Sequence, residues 1–394
     1  MNIDFHHAAT YVLSRCAGFS HEEANTIATS AQYVDDATHS GSIAFTSKEM
    51  YKYHESAHKN LDYQNLNALN NQKVWIPFHF LPGNTFDPNI KTPEFIQRIT
   101  TKPNSEVARE MLKGLFSNVT DRNFLHQLGI AIHVYADTWA HQNFVGINDK
   151  QNEANDIHVE NINNDLELLR SQYFRRKYTL SYLKFFKYNH KSANFWDKIL
   201  EKTLVPLGKR LLSKALGELF PLGHGAMLSY PDKPYIKFKY VNGYDNIITR
   251  NNPEEYLEAS KMMFHWLKCF KDKTLPDKNT IHELATGDLD KIKHLIVNLD
   301  HDDEKVRYSE WLKEIENGGF TFGRQIIQPH EDSGDNSWVS EALQVHSESK
   351  ICHSQGKTAN VFKDSDWKMF RDAIEQHRSR INNEILPKFG ICVA

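Results

Sequence analysis

Apolar side chains return every three to four positions through residues 3–17, which predicts a helix, and Gly18 supplies its stop. Ser20-His-Glu-Glu23 has the spacing of a capping box, so a second helix opens there and runs to about Thr38, through Gln32-Tyr-Val-Asp35-Asp36. Residues 41–105 lose that period and are richer in Asn, Pro and aromatic residues. Within them Val74-Trp-Ile-Pro-Phe-His79-Phe-Leu-Pro82-Gly83 carries too much proline for a helix interior, which predicts a long structured excursion. Helical spacing returns at about 105–117. It is stronger from Asp121 to Asn143, where Asp121 is the expected N-cap and Phe124, Leu125, Leu128, Ile132, Tyr135 and Trp139 recur on neighbouring faces. Further helices are expected at 160–188, 193–218, 253–271, 280–297, 302–317 and 366–386, with Pro and Gly breaking the pattern between Phe220 and Asp232. The fold expected from this pattern is all-α. Residues 1–240 form a helical core, and residues 241–394 form a helical C-terminal extension, either separate or packed on the core as one domain.

Composition narrows the class. Hydrophobic residues make up 40% of the 394 positions and charged residues 25%, the balance of a folded protein rather than a disordered one. A formal net charge of -3 gives no overall field that would gather nucleic acid. No apolar run reaches the ~18–20 residues of a membrane span. The N-terminal Met-Asn-Ile-Asp-Phe-His-His lacks the basic-then-apolar order of a cleaved leader. The expected location is the cytoplasm, or outside the cell by way of an apparatus that needs no leader. Cys16, Cys269, Cys352 and Cys392 are widely spaced with no Cys-x-x-Cys, so neither a thiolate zinc site nor a disulfide framework is expected. Histidine, at 21 residues, outnumbers glycine at 18.

Position gives those histidines meaning. In His133-Val-Tyr-Ala-Asp137-Thr-Trp-Ala-His141 the three polar residues stand one helical turn apart, so they project from one stripe of the helix, and His126 lies on the same stripe. Imidazole and carboxylate are donors that zinc accepts, and a central Asp flanked by His can bridge two metals. His6 and His7 open the first apolar helix. Asp35 and Asp36 close the second, where adjacent carboxylates at the negative end of the helix dipole call for a nearby cation or for solvent. His79 lies between Phe78 and Phe80, where a neutral imidazole wants a metal or a hydrogen-bond partner. His54 and His58 have the same four-residue spacing but sit among Lys52, Glu55 and Lys59, as on a solvated face. His224 has room between Gly223 and Gly225, and Asp232 follows Tyr230-Pro231 in a turn.

Taken together, His133 to His141, the N-terminal His, the Asp at the end of the second helix and the isolated His79 resemble the zinc-dependent phospholipase C and P1-type nuclease superfamily. The branch with glycosylphosphatidylinositol phospholipase D and related bacterial proteins is the most similar. The resemblance covers short motifs within residues 1–240. It implies an all-α fold and a cluster of two or three zinc ions whose water attacks a phosphodiester. It makes His133 and Asp137 ligands, with Asp137 the bridge, His141 a ligand of a neighbouring zinc, His6 the N-terminal ligand, Asp35 or Asp36 the early carboxylate and His79 the isolated His. The family's closing His-x-x-x-Glu or His-x-x-x-Asp does not follow His141. His224 and Asp232 stand in for it, with His158 and Glu160 as the other pair. Secreted members offer a processed amino group to zinc, whereas this chain begins with Met five residues before His6.

The expected activity is therefore that of a zinc-dependent phosphodiester hydrolase of the phospholipase C kind, with Asp35 or Asp36 orienting or deprotonating the water. Tyr173-Phe-Arg-Arg-Lys-Tyr178 and Tyr182-Leu-Lys-Phe-Phe-Lys-Tyr188 interleave aromatic with basic residues, which suits a phospholipid surface or stacked bases. Phospholipid fits the acidic net charge better, and nuclease is the alternative. A metal-stabilised helical binding protein without catalysis is the alternative of another class.

Overall fold

Asp4–Ala9 winds as a π-helix and continues without a break into α1 (Thr10–Cys16), which Gly18 ends at φ 100. α2 (His21–Asp36) opens on the expected capping box: Ser20 Oγ accepts from the Glu23 N–H at 3.1 Å, and Glu23 Oε2 from the Ser20 N–H at 2.7 Å. The computed structural model describes residues 1–58, 68–160, 223–227, 229–277, 281–351, 354–355 and 362–392. The helices expected at 160–188 and 193–218, with the aromatic and basic segments from Tyr173 to Tyr188, lie outside the described residues.

The excursion at 41–105 has more regular structure than its composition suggests. β1 (Gly41–Phe45) and β2 (Met50–Tyr53) form a hairpin, followed by α3 (Ala68–Phe78) and α4 (Glu94–Ile99). Contrary to the sequence expectation, Pro77 does sit in a helix. It falls in the last turn of α3, and the helix ends one residue later. α5 (Glu106–Gly114) is capped by Ser105, whose Oγ accepts from the Ala108 N–H at 3.1 Å. α6 (Phe124–Ala140) starts later than expected. Its N-cap is Asn123, and Asp121 instead accepts from Gln127 Nε2 at 3.2 Å.

The all-α expectation is wrong, because the fold is mixed α/β. β3 (Asn155–Val159), β4 (Lys237–Val241) and β5 (Ile247–Asn251) form an antiparallel sheet in the order β3-β4-β5. β4 and β5 pair from Lys237↔Asn251 to Val241↔Ile247. Phe238 and Tyr240 point into the core while Lys239 is exposed, the period-two pattern of a half-buried strand. β1 and β2 pair antiparallel from Gly41↔Tyr53 to Ala44↔Met50. After α7 (Asn252–Lys271), α8 (Thr286–Asn298), α9 (Glu304–Glu316) and α10 (Trp338–Leu343), a two-residue β6 (Ser354–Gln355) joins β1 in parallel. α11 (Asp366–Arg380) then runs into a π-helical turn at Ile381–Ile385. No helix among the described residues is long and apolar enough to cross a membrane.

One apolar cluster joins Phe5, Tyr11 and Trp139 to Tyr256, Trp266, Trp311 and Ile381, so residues after 241 share a core with the N-terminal helices. Every α6 side chain except Leu125 is buried. α2 packs tightly on α6 at Gly129, where a Cβ would meet the Ile27 carbonyl oxygen at 2.4 Å and Ser30 Cβ at 2.5 Å. Gly129→Ala forces two helix backbones apart. It is expected to lower stability by about 1–3 kcal/mol, read as a shift of the urea midpoint.

A second cluster packs Tyr33, Phe78, Ile130, Trp367 and Phe370 around the buried pair of Arg371 and Glu348. Burial alone would raise the Glu348 carboxyl. The Arg371 charge and hydrogen bonds from His39, Arg371 and Trp367 outweigh it and hold the group at about 2. A carboxyl whose folded pKa is depressed stabilises the fold above its unfolded value, and that contribution disappears as pH falls through the folded pKa. The urea midpoint should therefore decline as pH falls from 4.5 toward about 2. In Glu348→Gln this part of the decline should vanish, and stability at neutral pH should drop by about 3–5 kcal/mol.

Candidate metal centre

α6 places His133 and Asp137 one turn apart inside the protein, both with fully buried side chains. His141 follows as the C-cap, where the chain leaves the helix. The π-helical turn brings His6 alongside, its ring stacked on that of His133 with centroids 3.8 Å apart. Consecutive residues of a helix point in different directions, so although both are buried only one of His6 and His7 faces His133. His7 turns away to Tyr308, whose hydroxyl lies 3.0 Å from its Nδ1. The same rule separates the two aspartates at the end of α2. Asp35 faces the histidines, whereas Asp36 lies 2.7 Å from His330 Nε2 and accepts from Gln32. Asp36 is therefore outside the cluster, and the ligand and water-activating roles considered for it do not fit its position. His79 follows α3 directly, and the turns at 223–232 bring in His224 and Asp232.

Asp137 is the centre of the set. Its Oδ1 lies 3.2 Å from His6 Nε2, and its Oδ2 lies 3.2 Å from both His79 Nδ1 and His133 Nε2 and 3.4 Å from His141 Nδ1. Asp35 approaches His79 Nδ1 at 3.7 Å and His133 Nε2 at 3.8 Å. Asp232 approaches His141 Nε2 at 3.5 Å and His224 Nε2 at 3.6 Å. The Met1 amino group sits between, 2.7 Å from Asp137 Oδ1 and 3.4 Å from Asp232 Oδ1. Three groups of donors each gather within 4.8 Å: His6, His133 and Asp137; Asp35, His79 and His133; His141, His224 and Asp232.

The protons decide what this arrangement is. Burial lowers the pKa of His6, His79 and His133 by more than the nearby carboxylates raise it, so these rings are neutral. A neutral imidazole has one N–H and one lone pair. His133 Nδ1 donates to the Ala31 carbonyl at 2.7 Å, His79 Nε2 to the Ser56 carbonyl at 3.0 Å, and His141 Nδ1 to the His79 carbonyl at 2.8 Å. The remaining nitrogens of His79 and His133 thus present lone pairs to Asp137 Oδ2. Burial pushes that carboxyl up, yet His141 and the Met1 amine hold it well below the usual range. Lone pairs and a carboxylate oxygen face each other at 3.2 Å with no proton to share.

Such an arrangement fits a metal ion. Tetrahedral zinc with N and O ligands at about 2.0–2.2 Å keeps its ligand atoms about 3.3–3.6 Å apart, and the separations here match. Backbone carbonyls fix the ring tautomers, as in metal sites where the second ring nitrogen is anchored. Both ring nitrogens of His6 are buried without a hydrogen-bond partner, as is Asp232 Oδ1, the state of groups whose partner is an ion.

Other residues considered from sequence lie elsewhere. His126 pairs with Asp366 at 2.9 Å, two turns below His133 on the same stripe. His54 approaches Glu375 at 3.8 Å, and His158 and Glu160 are exposed on and beside β3. Sequence reasoning missed the carbonyls of Ala31 and Ser56, which no residue type betrays. It also missed His330, which fixes Asp36 away from the cluster.

The chain matches, over residues 1–385, the family described as a family of unknown function (DUF6765). It belongs to that family. No curated protein and no solved structure matches it.

Metal analysis of protein purified without chelator should show bound zinc. His133→Ala removes the donor shared by two of the groups, and Asp137→Asn removes the charge they all face. Each is expected to hold at least one ion fewer per chain than the parent protein.

Proposed function

We propose that this chain is a zinc-dependent phosphodiester hydrolase of the phospholipase C kind, using two or three zinc ions to release phospholipid headgroups. One observation carries the reading: the lone pairs of His79 Nδ1 and His133 Nε2 converge on Asp137 Oδ2 at 3.2 Å with no proton between them. His6, Asp35, His79, His133, Asp137, His141, His224 and Asp232, which the resemblance to the phospholipase C and P1-type nuclease superfamily implies, lie in this cluster, whereas Asp36, His158 and Glu160 do not.

His6 and Asp137 would hold one ion, Asp35 and His79 a second, and His141, His224 and Asp232 a third. The single lone pair of His133 serves one of the first two. Zinc held there supplies Lewis-acid polarisation of a phosphoryl oxygen and a water acidified toward neutrality. The protein's own part is orientation. Asp137, fully buried, fixes the donors around one anionic centre. Asp35, with a third of its side chain exposed, is the carboxylate that an incoming substrate would meet, and its Oδ2, 3.8 Å from His6 Nε2, would accept the proton of the attacking water.

Exposed apolar side chains support a lipid substrate over a nucleic acid. Phe86, Ile90 and Phe95 stand out from the segment that follows His79. Gln97 ties that segment down through the Asp87 and Thr92 carbonyls, at 3.1 and 2.7 Å. The Lys91 N–H reaches Asn246 Oδ1 at 3.3 Å, which brings exposed Ile247 beside the same surface. Apolar tips beside a lysine suit the headgroup boundary of a bilayer.

Turnover of a chromogenic phosphodiester, abolished by chelator and restored by zinc, is the expected result, with Asp137→Asn at least about a hundredfold slower. Headgroup release from mixed vesicles would support the lipase. Degradation of single-stranded nucleic acid without headgroup release would replace it by the nuclease. Full activity in Asp137→Asn, or inactivity with zinc bound, would overturn the hydrolase.

A further inference from the structure

A second group of metal-binding side chains stands apart from the centre around Asp137. α7 carries His265 and Cys269 four residues apart, hence one above the other on a single face. The chain leaves α7 at Lys271 and returns with His282 before α8 begins at Thr286. His265, Cys269 and His282 bring one ligand atom each to within 4.8 Å of the others, and none of them belongs to the donor groups of the first centre.

Cys269 Sγ lies 4.0 Å from His265 Nδ1, and that nitrogen accepts the His282 N–H at 3.1 Å, a bond that a metal held there displaces. The rings of His265 and His282 are 5.6 Å apart at their centroids. His265 and Cys269 are 5% and 1% exposed, whereas His282 is half-buried, so the group has one side toward solvent. One thiol and two imidazoles are donors that a borderline-soft transition metal prefers, and carboxylate is absent from the set.

We propose that His265, Cys269 and His282 form a separate site for a zinc-class divalent metal, with one thiolate, two imidazoles and an open fourth position toward solvent. Binding breaks the Cys269 S–H bond as the sulfur–metal bond forms, and the proton leaves to solvent, one per ion. The ion closes the connection between α7 and α8, fastening the segment before α8 to a helix that packs in the central core. The site does not depend on the hydrolase reading, since it shares no ligand with the first centre.

Cobalt distinguishes the two centres. The donor groups around Asp137 contain no sulfur, so sulfur-to-cobalt charge transfer in the near ultraviolet reports only a thiolate site. Titrating the full-length chain with cobalt under reducing conditions should produce this band. It should persist in Asp137→Asn and vanish in Cys269→Ser. In His282→Ala, a half-exposed position that leaves the core untouched, the cobalt concentration needed should rise at least about tenfold. Circular dichroism confirms that each variant is folded, and should Cys269→Ser not fold, the His282→Ala titration decides. Absence of the band in the parent protein, its survival in folded Cys269→Ser, or an unchanged titration in His282→Ala would overturn the proposal.

Discussion

A buried carboxylate, paired with the Met1 amine and ringed by histidines, organises this protein. Asp137 lies fully inside the protein on a helix packed on nearly all sides, beside His133, His79 and His141, whose ring protons are committed to backbone carbonyls. Removing such a charge from water costs several kcal/mol, recovered only by close opposite charge and full hydrogen bonding. The Met1 amine supplies one positive charge against the carboxylates of Asp137 and Asp232, while burial pushes the neighbouring Asp35 carboxyl up to about 7. The metal ions proposed above would sit among these carboxylates and the lone pairs of His79 and His133.

Holding that cluster takes the whole chain. Gly129 lets α2 approach α6 closely enough for the Ala31 carbonyl to reach His133, so a backbone contact fixes a ring tautomer. From the other end of the sequence, Arg307 on α9 reaches Asp4 at 2.7 and 3.2 Å and anchors the π-helical turn that carries His6. A third support comes from α11, where His377 Nε2 lies 2.9 Å from the Pro77 carbonyl, at the end of α3 just before His79. Residues 241–394 therefore act as the outer brace of a site whose donors all lie before residue 233, in keeping with the family match across residues 1–385.

Several features were legible in the residues alone. The four-residue spacing of His133, Asp137 and His141 placed three donors on one stripe, and the capping box at Ser20 set where α2 begins and so where Asp35 falls. The helices expected at 253–271, 302–317 and 366–386 form close to those bounds, whereas the one expected from 280 begins at Thr286 and α10 was not expected. The strands were passed over because each is short and none carries a long alternating run, although Lys237-Phe238-Lys239-Tyr240 shows the two-residue period in miniature. The cysteine count gave no hint of the site proposed at Cys269, because its companions there are histidines.

Sequence by itself determined which residues could act together wherever one helix sets their spacing, since a helical repeat is local and fixed by backbone geometry. Tertiary structure decided every choice between neighbours and every partnership across elements. It turned His6 inward and His7 toward Tyr308, and it turned Asp35 inward and Asp36 toward His330. Adjacent helical residues have equal local claims, so their roles depend on which side of the helix the rest of the chain covers. The same limit applies to the lone pairs at the centre, because the carbonyls that orient them belong to the backbone, and no side-chain identity encodes a backbone atom's position.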